Sequence, residues 1–534
     1  MDFNDISNVN EIYIQIIKQK RPEQIAFCFN DKAYSFGDLD NNVNLTIKKL
    51  AAIGVKPGTV VGYTFPNCPE VIYLLIGLSR MGAITVPLFH MIPDMGKMGI
   101  FTKSRAEFII TSGKMIDGLA DARMKMSAGV KLVTIEKSEK ADFSFATIDD
   151  SQVVLEKHVL PQIQPQHPMM IASSSGTTGV PKPILLTQEN VASTLKASMV
   201  LSTPVQFNEY NESMMVMAFP LCTSGLIVCL GTMFAGATIV FSDDMSPVKF
   251  MELITKWNAS AMAAPPAYFE NILLLPMLDS FKLTSIKAVL SGMDFFSPSL
   301  LKRLRLKFTN IKKAGNGYGL METSLVFMVW RNKNEEELNG ATSTLSLVEN
   351  IGNMIDVRDE NNRSVECGAD GDLWVKGKSV IDGYPGNPEE SQKAFIDGWF
   401  KTGDFARKES NTNITLLGRN KYLIKRGGKT VSPIVIQNHL NKCAGVVSSA
   451  VVGVPHSLYG EMVWAFVVRK SVLDATLKDI MKHCRAELPP YMVPDQIVFV
   501  DDIPKNPGVG KLDYEKMKQI ANEGLKIMEV SQNG

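Results

Sequence analysis

The chain has 534 residues, 45% hydrophobic and 21% charged, with 56 basic against 55 acidic side chains. That length exceeds one ordinary core and predicts at least two domains, and the balanced charge excludes an electrostatic nucleic-acid footprint and a polybasic membrane patch. Seven cysteines without a CxxC pair (Cys28, Cys68, Cys222, Cys229, Cys367, Cys443, Cys484) and six scattered histidines argue against a zinc site and for a reduced, cytoplasmic home.

The opening MDFNDISNVNEIYIQ carries acids early and no apolar run, so no secretory signal is expected. IAFCFN and KAYSF then read as a hairpin, and FGDLDNNVNLTIKKLAAIG has helical spacing that stops on Gly54. VVGYTF reads as a strand, CPEVIYLLIGLSRMG as a helix and AITVPL as another strand, and the rhythm recurs through FIIT, KLVTI, ATIVF and IKAVLSG. Apolar strands alternating with helices predict a mainly parallel sheet covered on both faces.

Ser213 to Ser242 is thirty residues without a charge, long enough to cross a bilayer. Pro220, Gly225, Gly231 and Gly236 interrupt it, so a buried strand, helix and strand is the better reading. After about Asn350 the character changes to short strand-like runs with glycine and charged turns, such as GDLWVKG and NITLLGR. KYLIKRGGKTV, SSAVVGVP, MVWAFVVRK and QIVFV continue as strands, with DATLKDIMKHCRAEL as a helix. The joint is placed in GRNKYLIKRGG, residues 418–428, which divides the chain into 1–420 and 421–534.

SSSGTTGVPKP (173–183) has the composition of a phosphate-holding loop: hydroxyls, two glycines and a lysine. It is not a Walker A loop, because Val180 and Pro181 separate Gly179 from Lys182. The alternative for this stretch alone is a polar surface loop. AGNGYGL (314–320) is too compressed for a dinucleotide fingerprint.

Taken in order, SSGTTGVPKP, YGLMETS (318–324), GWFKTGD (398–404), GRNKYLIKRGG and PKNPGVGKLDY (504–514) closely resemble the motifs of the adenylate-forming superfamily. That superfamily includes acyl- and aryl-CoA synthetases, peptide-synthetase adenylation domains and firefly luciferase. YSFGDL, GVKPGTVVGYTFPNCPE and GYPGNPEESQKAF extend the resemblance to nearly the whole chain. It implies an α/β fold: a large N-terminal domain of layered, mainly parallel sheets covered by helices, and a small mobile α+β C-terminal domain. The implied activity joins a carboxylic acid to ATP as an acyl-adenylate, then passes the acyl group to a thiol. ATP, Mg²⁺ and CoA, or a carrier-protein phosphopantetheine, are the implied cofactors.

The resemblance also assigns roles. Ser174, Ser175, Gly176, Thr177, Thr178 and Gly179, with Lys182, would hold the departing phosphates. Tyr318, beside Gly319, would stack on adenine, and Glu322 would ligate Mg²⁺, as a hard oxygen donor can. Asp404 would accept from both ribose hydroxyls, and Arg419 would add a donor. Lys511 would reach the carboxylate and α-phosphate during adenylation; Lys421 would be the hinge; Gly427 and Gly428 would line a thiol tunnel. Thr223, Gly292 and Gly317 would border the acid pocket. Read singly, Tyr318 is a core aromatic, Glu322 a helix-start acid and Lys511 a solvated charge; the ordered set reverses each reading.

Met321 stands where a threonine is common in the family, Pro183 where glycine is usual, and Gln188 and Thr223 replace common histidines. These changes spare Lys182, Glu322, Asp404, Arg419 and Lys511, so activity is expected, with a degenerate acyl-adenylate binder as an alternative. Amino-acid-activating relatives place an aspartate near Pro220 to Gly225, and a buried ammonium without a counter-charge is costly. No acid occurs between Ser213 and Ser242, which disfavours an α-amino acid, and the apolar segments around Thr223, AAPPAYF (263–269), SGMDFF (291–296) and GNGYG suggest an apolar or aromatic acid. A luciferase-like oxidation is disfavoured by Thr223 and Ser224, where luciferases carry histidine.

Overall fold

The computed structural model describes residues 6–149, 151, 160–174, 182–202, 213–332, 336–339, 344–349, 351–470, 474–505 and 512–532. The strands described form sheets of seven, fourteen and five.

The seven-stranded sheet runs from Phe143–Ser144 through Lys131–Thr134, Phe108–Thr111, Val60–Phe65 and Ile84–Phe89 to Pro168–Ser174 and Lys182–Thr187. Its pairings are parallel except the last, where Pro168–Ser174 and Lys182–Thr187 run antiparallel. Pro183 lies on the last strand, an edge, where a missing N–H is tolerated.

The fourteen-stranded sheet changes character part-way. From Ile25–Phe29 through Thr238–Phe241, Met214–Met217, Ala261–Ala263, Ala288–Gly292 and Lys313–Leu320 every pairing is parallel. Beyond Lys313–Leu320 the chain turns straight back into Leu325–Arg331, and the pairings out to Asn353–Arg358 are antiparallel. GDLWVKG and NITLLGR, which open the change of pattern in the sequence, therefore complete this large sheet. The sheet is therefore mixed, parallel up to Lys313–Leu320 and antiparallel from Leu325–Arg331 onward.

The helices between these two sheets carry the shared core. It runs from Val61 and Tyr63 through Leu74, Leu195 and Leu230 to Ile239 and Phe241. The charge-free run folds as the strand Met214–Met217, the helix Ser224–Phe234 and the strand Thr238–Phe241. Gly231 lets that helix lie against Gln188–Ser202, since a Cβ there would sit 2.5 Å from the Ser198 Cβ and 2.9 Å from the Leu195 carbonyl oxygen. Among the described residues no helix is long and apolar enough to cross a membrane.

The large sheet ends its last crossing at Arg419, and the five-stranded sheet begins at Ile424. Only the short turn Asn420–Tyr422 and Leu423 intervene. Lys429–Val431, Ile424–Arg426, Gly460–Arg469 and Val446–His456 lie side by side, with Gln496–Phe499 parallel to Gly460–Arg469. Pro433–Leu440, Leu477–Glu487 and Tyr514–Gln532 are its helices. Ile424, Ile436, Val451 and Ile480 give it a core of its own.

Candidate active site

Met214–Met217, Ala261–Ala263, Ala288–Gly292 and Lys313–Leu320 are consecutive parallel neighbours, so their carboxyl ends share one edge. Ligands of open α/β sheets bind along such an edge. Gly292 and Gly317 pair there in register, and a Cβ on Gly292 would be 3.5 Å from the Gly317 carbonyl oxygen. Tyr318 follows immediately. Thr223 is buried at the start of Ser224–Phe234, the helix that leaves the same edge.

Asp404 and Arg419 face each other across the antiparallel strands Trp399–Lys408 and Asn413–Arg419, where directly opposed side chains meet. Arg419 Nε lies 2.9 Å from Asp404 Oδ1. The Tyr318 hydroxyl donates to Asp404 Oδ2 at 2.5 Å, and its ring leans on Phe327 at 5.5 Å between centroids. Asp404 is only 3% exposed. Burial raises its pKa, and the Arg419 guanidinium and Tyr318 hydroxyl oppose that rise without cancelling it. The Tyr318 phenol is pushed well up by burial and then by Asp404. Burial works most strongly against the charge on Arg419, but Asp404, Tyr318, Glu322 and Tyr422 together outweigh it and raise its pKa.

Glu322 occupies the turn Met321–Thr323, which packs beside Pro168–Ser174, the strand that leads into the hydroxyl- and glycine-rich stretch. Ser324 and Leu325 both have positive φ, +53° and +95°, and the turn is braced to hold them. The Thr323 hydroxyl receives the Leu320 N–H at 2.9 Å and donates to the Leu320 carbonyl at 3.0 Å. Ser324 Oγ donates to the Ser379 carbonyl at 2.8 Å, and the Ile381 N–H donates to the Glu322 carbonyl at 3.0 Å. Unusual backbone held this firmly is characteristic of functional sites. Gly319 is obligatory: a Cβ there would lie 1.2 Å from the Leu325 carbonyl oxygen.

Tyr384 and Thr402 were not singled out in the sequence. The Tyr384 hydroxyl donates to Glu322 Oε1 at 3.0 Å. Thr402 Oγ1 accepts the Asp404 N–H at 3.1 Å, and its carbonyl accepts from Arg419 at 3.3 Å. Tyr384 lies within the quoted GYPGNPEESQKAF and Thr402 within GWFKTGD, but nothing in residue type marked either as a brace.

Gln188 faces the interior. It is fully buried, exchanges hydrogen bonds with Ser79 Oγ at 3.0 and 3.3 Å, and accepts the Val9 N–H at 3.2 Å. It ties the helices Val9–Gln19 and Pro69–Arg80 to the start of Gln188–Ser202. Met321 packs part-buried against the shared core. Ser174 and Lys182 are paired across the hairpin backbone. Ser175, Gly176, Thr177, Thr178, Gly179 and Lys511 lie outside the described residues. Gly427 and Gly428 form the turn between Ile424–Arg426 and Lys429–Val431, with φ of +54° and +76° and open space where a Cβ would be.

Residues 15–385 match the family model described as AMP-binding enzyme. The chain belongs to this family. Residues 436–509 match the AMP-binding enzyme C-terminal domain. This AMP-binding enzyme is 25% identical over 503 residues to 4-coumarate–CoA ligase 2 of Nicotiana tabacum, covering 93% of its own length and 91% of the relative's. Its fold matches the amide bond synthetase McbA from Marinactinospora thermotolerans with a TM-score of 0.81 at 19% identity, over 96% of this chain and 99% of that one. The anthranilate CoA ligase AuaEII, solved in complex with anthranoyl-AMP, matches with a TM-score of 0.82 at 20% identity, over 98% and 100%. The adenylate-forming resemblance and the fold of a large and a small part are thereby borne out.

Proposed function

We propose that this chain is an AMP-forming acid–thiol ligase that converts a non-amino, apolar or aromatic carboxylic acid to its adenylate and then to a thioester, with CoA as the acceptor. The observation that carries the reading is the Tyr318–Asp404–Arg419 cluster beside Glu322 at the carboxyl edge of the parallel strands. The names of relatives, such as 4-coumarate–CoA ligase, support CoA and an aryl acid.

A carboxylate is a poor electrophile, and the mixed anhydride with AMP gives it a good leaving group. The site must bring two anions together and stabilise charge at the α-phosphate, which calls for N–H groups and cations fixed in advance. On this reading Asp404 and Arg419 take the ribose, Tyr318 lies against adenine, and Ser174 to Gly179 with Lys182 cradle the departing pyrophosphate. Lys511 brings positive charge to the acid and α-phosphate. Thr223, Gly292 and Gly317 border the acid, and the charge-free walls from Ser213 to Ser242 favour one without an ammonium group.

Magnesium suits Glu322 by donor chemistry, because a carboxylate oxygen is a hard ligand for a hard cation that binds few protein groups besides phosphate. When bound, the ion neutralises phosphate charge. Tyr384 keeps one Glu322 oxygen in place through its hydrogen bond.

For the second half-reaction the unit after Lys421 turns, withdraws Lys511 and presents Gly427 and Gly428 to the thiol. A boundary at 420/421 is supported by the single short link between Arg419 and Ile424. Glycines without neighbours at the Cβ position leave room for a pantetheine arm. Unpaired cysteines support a reduced, cytoplasmic setting.

The test is acid-dependent ATP–pyrophosphate exchange over fatty, cinnamic, benzoic and amino acids. Exchange with an apolar or aromatic acid is expected, and exchange with amino acids alone would overturn the substrate class.

A further inference from the structure

The described residues on either side of 506–511 are joined to each other. The Asp513 N–H donates to the Pro504 carbonyl at 2.9 Å, and Lys505 and Leu512 form a backbone bridge. Tyr514 follows directly, at the first position of the helix Tyr514–Gln532. Its ring lies flat on Tyr422, with centroids 4.0 Å apart and planes 15° from parallel. Tyr422 adjoins Lys421, whose ammonium sits 4.5 Å from the Tyr422 centroid.

Two further relations couple this stack electrostatically to the site. Tyr422 is within electrostatic reach of Arg419, which holds Asp404. Tyr514 is within electrostatic reach of Asp294, in the loop that follows Ala288–Gly292 of the large sheet; burial, then Asp294, keeps its phenol un-ionised. A residue three positions past Lys511 thus stacks on the residue after the proposed pivot and feels the charge of Asp294, in the loop that leaves the carboxyl edge where the acid is proposed to bind.

We infer that Tyr514 is a positioning residue for Lys511: its ring, stacked on Tyr422, ties the neck of the lysine-bearing segment to the pivot and lays that neck against the Asp294 loop. The inference rests on the proposed reading, in which Lys511 serves adenylation and the small unit turns at Lys421. Because Tyr422 lies beyond the pivot, rotation there carries Tyr422, Tyr514 and the lysine segment together, while the Asp294 neighbour is left behind. The stack therefore matters while Lys511 is engaged and is idle during thioester formation.

The experiment compares full-length wild type, Tyr514→Ala and Tyr514→Phe in three readouts: acid-dependent ATP–pyrophosphate exchange, thioester formation from preformed acyl-adenylate, and amide hydrogen exchange. Loss of one offset stack is expected to lower the Tyr514→Ala exchange kcat about tenfold, with KM for ATP and thioester formation within about twofold of wild type. Tyr514→Phe, which keeps the ring, retains at least about half the wild-type rate, and amide protection falls at 292–297 and 420–424 in Tyr514→Ala alone. Equal loss in both half-reactions, no loss, or Tyr514→Phe as slow as Tyr514→Ala would overturn the inference. If wild type shows no exchange with any acid, the functional reading fails, and amide protection decides the positioning role: unchanged protection in Tyr514→Ala rejects it, and the local loss described upholds it.

Discussion

The Tyr318 hydroxyl and the Arg419 guanidinium occupy different oxygens of one buried carboxylate, that of Asp404, at 2.5 and 2.9 Å. The arrangement has a stability consequence whose sign follows from burial. The folded-state pKa of Asp404 is raised, so the folded chain holds that proton more tightly than the unfolded chain, whose value is about 3.9. Stability from this group is full below the unfolded value and is lost as pH rises through the folded one; at pH 7 the ionised side chain costs stability. Asp404→Asn is therefore expected to have a Tm at pH 7 no lower than wild type. Its KM for ATP should rise about tenfold to a hundredfold, the worth of hydrogen bonds to a charged group. Thermal unfolding and initial rates check the pair, and a Tm several degrees lower would contradict the sign.

Tyr384 donates to one oxygen of Glu322, and Glu322 is the carboxylate proposed for Mg²⁺. Tyr384→Phe should raise the Mg²⁺ concentration for half-maximal rate by about threefold to tenfold, the worth of one hydrogen bond. Glu322→Gln should raise it further. Titrating Mg²⁺ at saturating ATP separates the two; an unchanged Mg²⁺ requirement in both would remove Glu322 from that role.

Gly319 has no room for a methyl group, with the Leu325 carbonyl oxygen 1.2 Å from the ideal Cβ position. Gly319→Ala must displace the braced turn that carries Glu322. A loss of about 4 kcal/mol or more is expected, at the high end for single substitutions. Denaturant unfolding measures it, and a variant within about 1 kcal/mol of wild type would show that the turn is not held as described.

Gln188 occupies a core position rather than the phosphate end. Gln188→Ala leaves Ser79 Oγ and the Val9 N–H without their partner and should cost about 1–3 kcal/mol of stability. The KM for ATP should stay near the wild-type value. A large KM change with unaltered stability would instead place Gln188 at the nucleotide site.

Much of this was legible in the sequence because it depends on local pattern. Strand and helix periodicity marked the parallel strands, and the interrupting glycines turned Ser213 to Ser242 from a membrane span into a strand, helix and strand. Asp404, Arg419, Tyr318 and Glu322 carried their resemblance in short fixed motifs, and the structure brings the first three together with Glu322 in the turn beside them. What was hidden depends on register between distant segments. That Tyr384 braces Glu322, 62 positions away, follows from how residues 379–384 lie along the turn, which no local spacing encodes. The antiparallel half of the large sheet was hidden for the same reason, since a strand's own sequence does not name its neighbour. Gln188 stood out in the sequence only as the replacement of a common family histidine, because its buried partners, Ser79 and Val9, are more than a hundred positions away.

As proposed, the enzyme adenylates one acid and then hands it to CoA. The most direct measurement follows the products when the purified chain meets ATP, Mg²⁺, CoA and a cinnamic or benzoic acid, by mass spectrometry with and without the acid. AMP, pyrophosphate and the acyl-CoA are expected in equal amounts, all dependent on the acid. Formation of ADP and phosphate, or of an adenylate that never becomes a thioester in the presence of CoA, would contradict the proposal.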